Sequence, residues 1–225
     1  MANALSTFRD GFSALPLYFE LGALGQAMTP DELVDFSMRH SAIAPLQRRS
    51  EFLEYARIVA AQGPSTALEI GSFRGGTLFV LTRLATDRAT VISLDLPMSL
   101  FGRVCRWVQI PMFQRFTRNG QTLHLLRADS HRRDTLSRVA KLLNGRRLDL
   151  LFIDGDHTYA GVRADFEMYA PMVRPGGIVA FHDIAPQPPP SEVVRLWQEI
   201  KPRYRHREIL HSTARDAMGI GVLWV

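Results

Sequence analysis

Apolar residues recur along this chain with two different periods. Up to about residue 65 the spacing is helical. Thr29-Pro30-Asp31-Glu32 predicts a helix start: a threonine cap, proline in the first turn, and Glu32 placed to close a capping box. Leu33, Val34, Phe36 and Ser37 follow on one face, and a second helix is predicted from about Arg48 to Gln62 on Phe52, Tyr55, Ala56 and Val59. Gly63-Pro64 stops it. Earlier, Phe8, Phe12, Leu15, Leu17 and Phe19 form an apolar arm. Such an arm packs on its own domain or, as the alternative, makes a homo-oligomer contact through the N-terminal helices.

From Thr66 the period changes. Short apolar runs stand at Ala67–Ile70, Thr90–Leu94, Thr122–Leu126, Leu148–Ile153 and Ile178–Phe181, with helical stretches such as Asp134–Leu143 between them. Runs of four to six apolar residues suit strands buried on both faces. Their alternation with helices predicts a Rossmann-like α/β domain over 66–225: a doubly wound, mostly parallel seven-stranded sheet with helices on both faces. Residues 1–65 form an N-terminal helical extension. Ile209–Leu210 and Gly219–Val225 supply the last two strands, one antiparallel. Residues 96–120, carrying Pro97, Trp107, Pro111, Phe113 and four arginines, read as a lid-like insertion in place of a short helix. Pro186-Gln187-Pro188-Pro189-Pro190 reads as a stiff spacer at the site rim, with Ser191 capping the next helix.

Composition narrows the class. The 225 residues are 46% hydrophobic with one cysteine, Cys105, which excludes a disulfide framework and a cysteine-rich zinc site and points to a cytoplasmic setting. No apolar run approaches membrane-spanning length, so no stable membrane insertion is expected. The net charge of +5 comes from arginines scattered through every segment, without the stripe or tail that nucleic-acid binding requires.

Ligands of open α/β sheets bind at the carboxyl ends of the strands, so the residues there carry the chemistry. The first strand ends in Glu69-Ile70-Gly71-Ser72-Phe73-Arg74-Gly75-Gly76-Thr77, a glycine-rich turn whose Phe73 disfavours a dinucleotide. The second ends in Asp95, placed to accept both hydroxyls of a ribose, and the third in Ala128-Asp129-Ser130, suited to an adenine edge. Together these outline a nucleoside pocket. The fourth strand ends in Asp154-Gly155-Asp156-His157 and the fifth in His182-Asp183. Asp154 and Asp183 offer hard oxygens to a divalent ion.

This ordered set, over about residues 65–185, resembles class I S-adenosylmethionine-dependent methyltransferases, specifically the metal-dependent small-molecule O-methyltransferases. The first motif is similar to that of the catechol and caffeoyl-CoA enzymes. Arg174-Pro175-Gly176-Gly177 resembles the turn before their fifth strand, and the acidic clusters look closer to macrolide, aminocoumarin and cephalosporin-pathway methyltransferases. The resemblance implies S-adenosylmethionine as cofactor, held by Glu69, Gly71, Ser72, Gly75, Thr77, Asp95, Asp129, Ser130 and Asp154. It implies a hydroxylated small molecule as substrate, in secondary metabolism. It also implies a magnesium site at Asp154, Asp183 and position 182, where this chain has His182, a ligand better suited to manganese or another transition metal. The general base falls on Asp156 or His157, and neutral imidazole favours His157. A histidine base predicts a rate that rises somewhere around pH 6 to 7. Three rival readings fit less well. A nicotinamide oxidoreductase and a metallophosphoesterase leave residues idle or missing, and a non-catalytic cofactor-binding module does not use Asp154, Asp156, His157 and Asp183.

Overall fold

The computed structural model describes residues 15–24, 28–97, 106–118, 120–186, 191–211 and 218–225. The elements run α1 (15–23), α2 (Pro30–Arg39), α3 (Arg49–Gln62), β1 (Thr66–Ile70), α4 (Gly76–Leu84), β2 (Thr90–Asp95), α5 (Arg106–Gln114), β3 (Thr122–Arg127), α6 (Arg133–Leu143), β4 (Leu148–Ile153), α7 (Tyr159–Tyr169), β5 (Val173–His182), α8 (Glu192–Ile200), β6 (Arg205–Ile209) and β7 (Ile220–Trp224). One sheet holds all seven strands in the order β3-β2-β1-β4-β5-β7-β6. β1 to β5 are parallel neighbours, and β7 inserts antiparallel between β5 and β6. β1, β2 and β4 are buried almost throughout, as their mainly apolar runs demand. β6 is the exposed edge, and Arg205, Arg207 and Glu208 charge it against further pairing.

The helix starts follow the sequence closely. Thr29 accepts the Glu32 N–H while Glu32 accepts the Thr29 N–H, closing the capping box. Ser191 accepts the Val193 N–H at 3.2 Å and starts α8. Gly63 ends α3 in the left-handed region, φ 55°, donating its N–H to Val59.

The N-terminal helices share their core with the sheet instead of standing apart. Tyr55 of α3 lies 5.2 Å, centroid to centroid, from Phe152 of β4, and Phe36 of α2 lies 5.1 Å from Phe79 of α4. In α1, Leu17 and Leu21 are buried in that core while Leu15 and Phe19 point outward. Phe8 and Phe12 lie outside the described residues.

Within the 96–120 stretch, expected to stand in place of a short helix, a helix does form. Its described second half holds a helix, α5, whose Met112 and Phe113 are buried in the core with Phe116 of the turn that follows. Three buried apolar side chains at helical spacing outweigh the roughly 3 kcal/mol a proline costs inside a helix, here Pro111. Residues 98–105 lie outside the described part, as do residues 187–190 of the proline-rich stretch.

Candidate active site

The carboxyl ends of β1, β2 and β4 converge on the turn after β1. Gly71 donates its N–H to Leu94 of β2, and Asp154 donates to Ile70 of β1. Gly71 takes φ 85°, and a Cβ there would sit 2.1 Å from the Asp154 carbonyl oxygen. Only glycine fits both the backbone and the gap. Gly75, at φ 90°, is closed in the same way by the Phe113 ring, which a Cβ would meet at 2.5 Å. The glycine-rich turn is thus clamped between β4 and α5.

Beside this turn a cavity of about 930 Å³ opens over the strand ends. Gly71, Ser72, Gly75 and Thr77 line it from the first motif, Asp95, Asp129 and Ser130 from the next two strands, and Asp154, Asp156, His157, His182 and Asp183 from the fourth and fifth. Glu69 does not reach it. Its side chain is fully buried, and burial pushes its carboxyl up to about 8. Burial there favours the neutral acid over the carboxylate.

The cavity has two chemically distinct halves. On the β2–β3 side, Asp95 Oδ1 accepts the Leu96 N–H at 2.8 Å, and burial raises its pKa against the pull of Arg127. Ser72 and Ser93 share a hydrogen bond of 2.7 Å. Asp129 Oδ1 accepts the His131 N–H at 2.9 Å, shaping the loop that carries Ser130. Leu46 and Leu96 add exposed apolar surface at the rim.

The β4–β5 side is a cluster of carboxylates and imidazoles. Asp154 Oδ1 lies 3.3 Å from His157 Nε2 and 3.1 Å from His182 Nδ1. Asp183 closes the group, 3.4 Å from each of the same two nitrogens. Carboxylates accept only, so His157 Nε2 and His182 Nδ1 carry the protons of these contacts. Burial alone would raise Asp154, yet the adjacent imidazoles hold it below its ordinary value. For His182, burial lowers the pKa but the charge of Asp154 outweighs it, and the ring is raised to about 9. His157 is raised too, chiefly by its hydrogen bond to Asp154. Asp183 sits at φ 62°, a backbone state rare outside glycine, which turns its carboxylate back toward His182.

One ligand atom each from Asp154, His182 and Asp183 lies within 4.8 Å of the others. The Nε2 of His182 is buried and has no hydrogen-bond partner among the described residues. Two carboxylates and an imidazole fit a divalent ion of the manganese type better than magnesium.

Asp156 is differently placed. Its Oδ1 accepts the Thr158 N–H at 2.8 Å, and a Cβ on Gly161 would lie 2.2 Å from its carboxyl carbon. The side chain is pressed onto the first turn of α7.

Several lining or supporting residues were not anticipated from strand ends. Gln47, from the turn between α2 and α3, donates to Asp154 Oδ2 at 3.1 Å. His131 lines the cavity and stands 3.4 Å from Asp165, which is fully buried in α7 and raised to about 6 by burial. A signal for Asp165 did exist: it occupies the buried helical stripe Val162–Asp165–Tyr169, where a charge is out of place. Gln47 carried no such mark, because its role depends on a contact 107 residues away.

The comparisons with known proteins agree with this geometry. A family model described as a methyltransferase domain matches residues 68–184. An uncharacterized protein, R132, of Acanthamoeba polyphaga mimivirus is 30% identical over 118 residues, covering 52% of this chain and 51% of its own length. The chain thus spans about half of that relative. The fold is shared with an O-methyltransferase from Bacillus cereus solved in complex with SAH (TM-score 0.56, 16% identity, 96% of this chain and 91% of that one). It is shared as well with the O-methyltransferase TomG of Streptomyces achromogenes, involved in tomaymycin synthesis and solved with SAM (TM-score 0.58, 15% identity, 88% and 90%). With more than half of its residues matched to the family model and its seven strands in the order of that fold, the chain belongs to the methyltransferase-domain family.

Proposed function

We propose that this protein transfers the methyl group of S-adenosylmethionine to a hydroxyl oxygen of a small molecule, with a divalent ion assisting. The observation that carries the reading is the pairing of the two cavity halves: a ribose-type carboxylate at Asp95 facing one space with the Asp154–His157–His182–Asp183 cluster. The cavity volume, about 930 Å³, suits a cofactor and a small acceptor together.

In this reading Asp95 accepts the two ribose hydroxyls, and Asp129 and Ser130 meet the adenine edge. The turn from Gly71 to Thr77 holds the amino-acid end of the cofactor. When bound, S-adenosylmethionine supplies an electrophilic methyl group. Asp154, His182 and Asp183 would hold the ion, which supplies Lewis acidity that makes an acceptor hydroxyl easier to ionise. His157 is the base. Its Nε2–H is turned to Asp154 and Asp183, so Nδ1 is the lone-pair nitrogen and takes the acceptor's proton. The positive charge that results on the ring is shared through Nε2–H with both carboxylates. Asp156 serves the start of α7, consistent with its bond to Thr158. Holding acceptor and methyl in line accounts for much of the acceleration, of order several kcal/mol.

Calorimetry with S-adenosylhomocysteine tests the cofactor half. Micromolar binding is expected, with a raised melting temperature, and Asp95→Ala should weaken it at least about tenfold. Tighter binding of NAD than of S-adenosylhomocysteine would overturn the reading. A panel of phenols, sugars and polyketide alcohols, scored by S-adenosylhomocysteine released, tests the acceptor class. Chelation should lower that turnover and manganese restore it at least as well as magnesium. Full turnover in excess chelator removes the ion from the proposal.

A further inference from the structure

Gln47 lies in the turn between α2 and α3, far from every motif in the chain, yet it is 6% exposed and lines the cavity. Its Nε2 donates to Asp154 Oδ2 at 3.1 Å, and its Oε1 accepts the Thr77 hydroxyl at 3.4 Å. A carboxylate oxygen cannot donate, so the amide has one workable orientation, with nitrogen on Asp154. Both ends of the side chain are therefore specified. The turn that carries it is equally confined. A Cβ on Gly76 would meet the Ile43 carbonyl oxygen at 2.2 Å and the Pro45 ring at 2.7 Å, so the turn is seated directly on the start of α4.

The consequence falls on the Asp154 carboxylate. With Oδ2 engaged by Gln47, Oδ1 is the oxygen presented to both imidazoles, 3.3 Å from His157 Nε2 and 3.1 Å from His182 Nδ1. A carboxylate held at one oxygen only can still turn about Cβ–Cγ and change the direction in which that oxygen faces its donors. The amide prevents this, and being neutral it does so without cancelling the negative charge that the imidazoles face.

We propose that Gln47 is a positioning residue: it sets the rotation of Asp154, and through it the placement of His157 and His182. Resting on the methyl-transfer reading above, this makes the α2–α3 segment a working part of the site.

The test uses the full chain, stripped of metal with chelator, with its histidines labelled for NMR. Gln47→Met keeps the length and shape of the side chain and removes the donor. Gln47→Glu keeps the acceptor and places a second carboxylate against Asp154. In both, the His182 Nδ1–H resonance should move, and its exchange with solvent should quicken by about tenfold or more, the scale of one hydrogen bond to a charged acceptor. Thr77→Val, which frees only the far end of the amide, should give a smaller change of the same sign and serves if the others fold poorly. The resonances of His124 and His206 should stay in place. A space-filling role predicts that Gln47→Met leaves the His182 signal and its exchange as in the wild type, and that result overturns the proposal. S-adenosylhomocysteine calorimetry on the wild type separates the two readings. No binding there, with the His182 signal altered in Gln47→Met, removes the methyl-transfer reading and keeps the positioning role.

Discussion

β4 carries an aspartate at each end, and the two are used in opposite ways. Asp149, near the amino end, is saturated with donors. Its Oδ2 accepts from the Ser65 N–H and hydroxyl, both at 2.7 Å, and from the Thr66 N–H at 3.0 Å, while Oδ1 accepts from Arg174 at 2.5 Å. Although burial works the other way, these donors hold its carboxyl at about 2. Asp154, just past the carboxyl end, meets one amide and two imidazoles that can each change charge, and it borders an open cavity. The first arrangement stores stability in fixed dipoles and a permanent cation. The second gives up that certainty for groups that can move protons or hold an ion. A carboxylate in a parallel sheet is structural or chemical according to which strand end it occupies and what meets it there.

The largest effect expected is on rate at the carboxyl end. His157→Ala should lower turnover by about 10² to 10⁴ at saturating cofactor, with S-adenosylhomocysteine affinity and melting temperature nearly unchanged. Because Asp154 raises His157, the rise of rate with pH should be centred above the ordinary histidine value, later than a free imidazole would give. A full rate in His157→Ala, with loss in Asp156→Ala, would hand the base to Asp156.

Next comes stability at the amino end. Asp149→Ala should cost about 2–4 kcal/mol in denaturant unfolding, since it strands the Ser65 and Thr66 amides and the Arg174 guanidinium, itself partly exposed to solvent. The folded fraction should still bind S-adenosylhomocysteine as the wild type does. Loss of binding in proportion to loss of stability would show that the two ends are not separable.

The pH dependence of the melting temperature, measured in chelator, sharpens the contrast on both sides. Asp149 contributes stability above its unfolded value, about 3.9, and loses it as pH falls toward about 2. His182 contributes fully below about 6.5, and that contribution is lost as pH rises through about 9. Glu69 adds a loss of the same sign, from above its ordinary value to about 8. Asp149→Ala should flatten the acid limb and His182→Asn the alkaline one.

The smallest effect expected is that of Asp165→Asn. Burial already favours the neutral acid, so the amide should cost less than about 1 kcal/mol near pH 6 and stabilise relative to wild type at higher pH. A large loss at pH 6 would mean that its charge is needed beneath the Ser130–His131 loop.

Much of this was legible in the chain because it is local. A capping box at Thr29 and Glu32, short mainly apolar runs for β1 to β5, and Gly63 after α3 each act within a few residues, where backbone sterics and period decide the outcome. The rule that ligands gather at carboxyl strand ends then located Asp95, Asp154, His157, His182 and Asp183 in one cavity. Two details depended on non-local packing. The stretch before β3 reads as a lid because a long insertion follows a strand end, and only the core that takes Phe113 and Phe116 explains why a helix forms there despite Pro111. Glu69 reads as a cofactor residue from its motif, and only the fold shows its side chain fully buried, with burial raising its carboxyl to about 8.

The sequence alone, then, determined the order of elements, the parallel sheet and the strand ends where chemistry gathers, since periodicity and turn chemistry are written in consecutive residues. Tertiary structure decided which groups meet. That Gln47 grips Asp154, that His182 faces two carboxylates while its Nε2 stays buried, and that Asp156 belongs to α7 all depend on distances between segments far apart in the chain. Hydrogen bonds and charge interactions fall off within a few ångströms, and no spacing along a sequence specifies them until the sheet has brought its strand ends together.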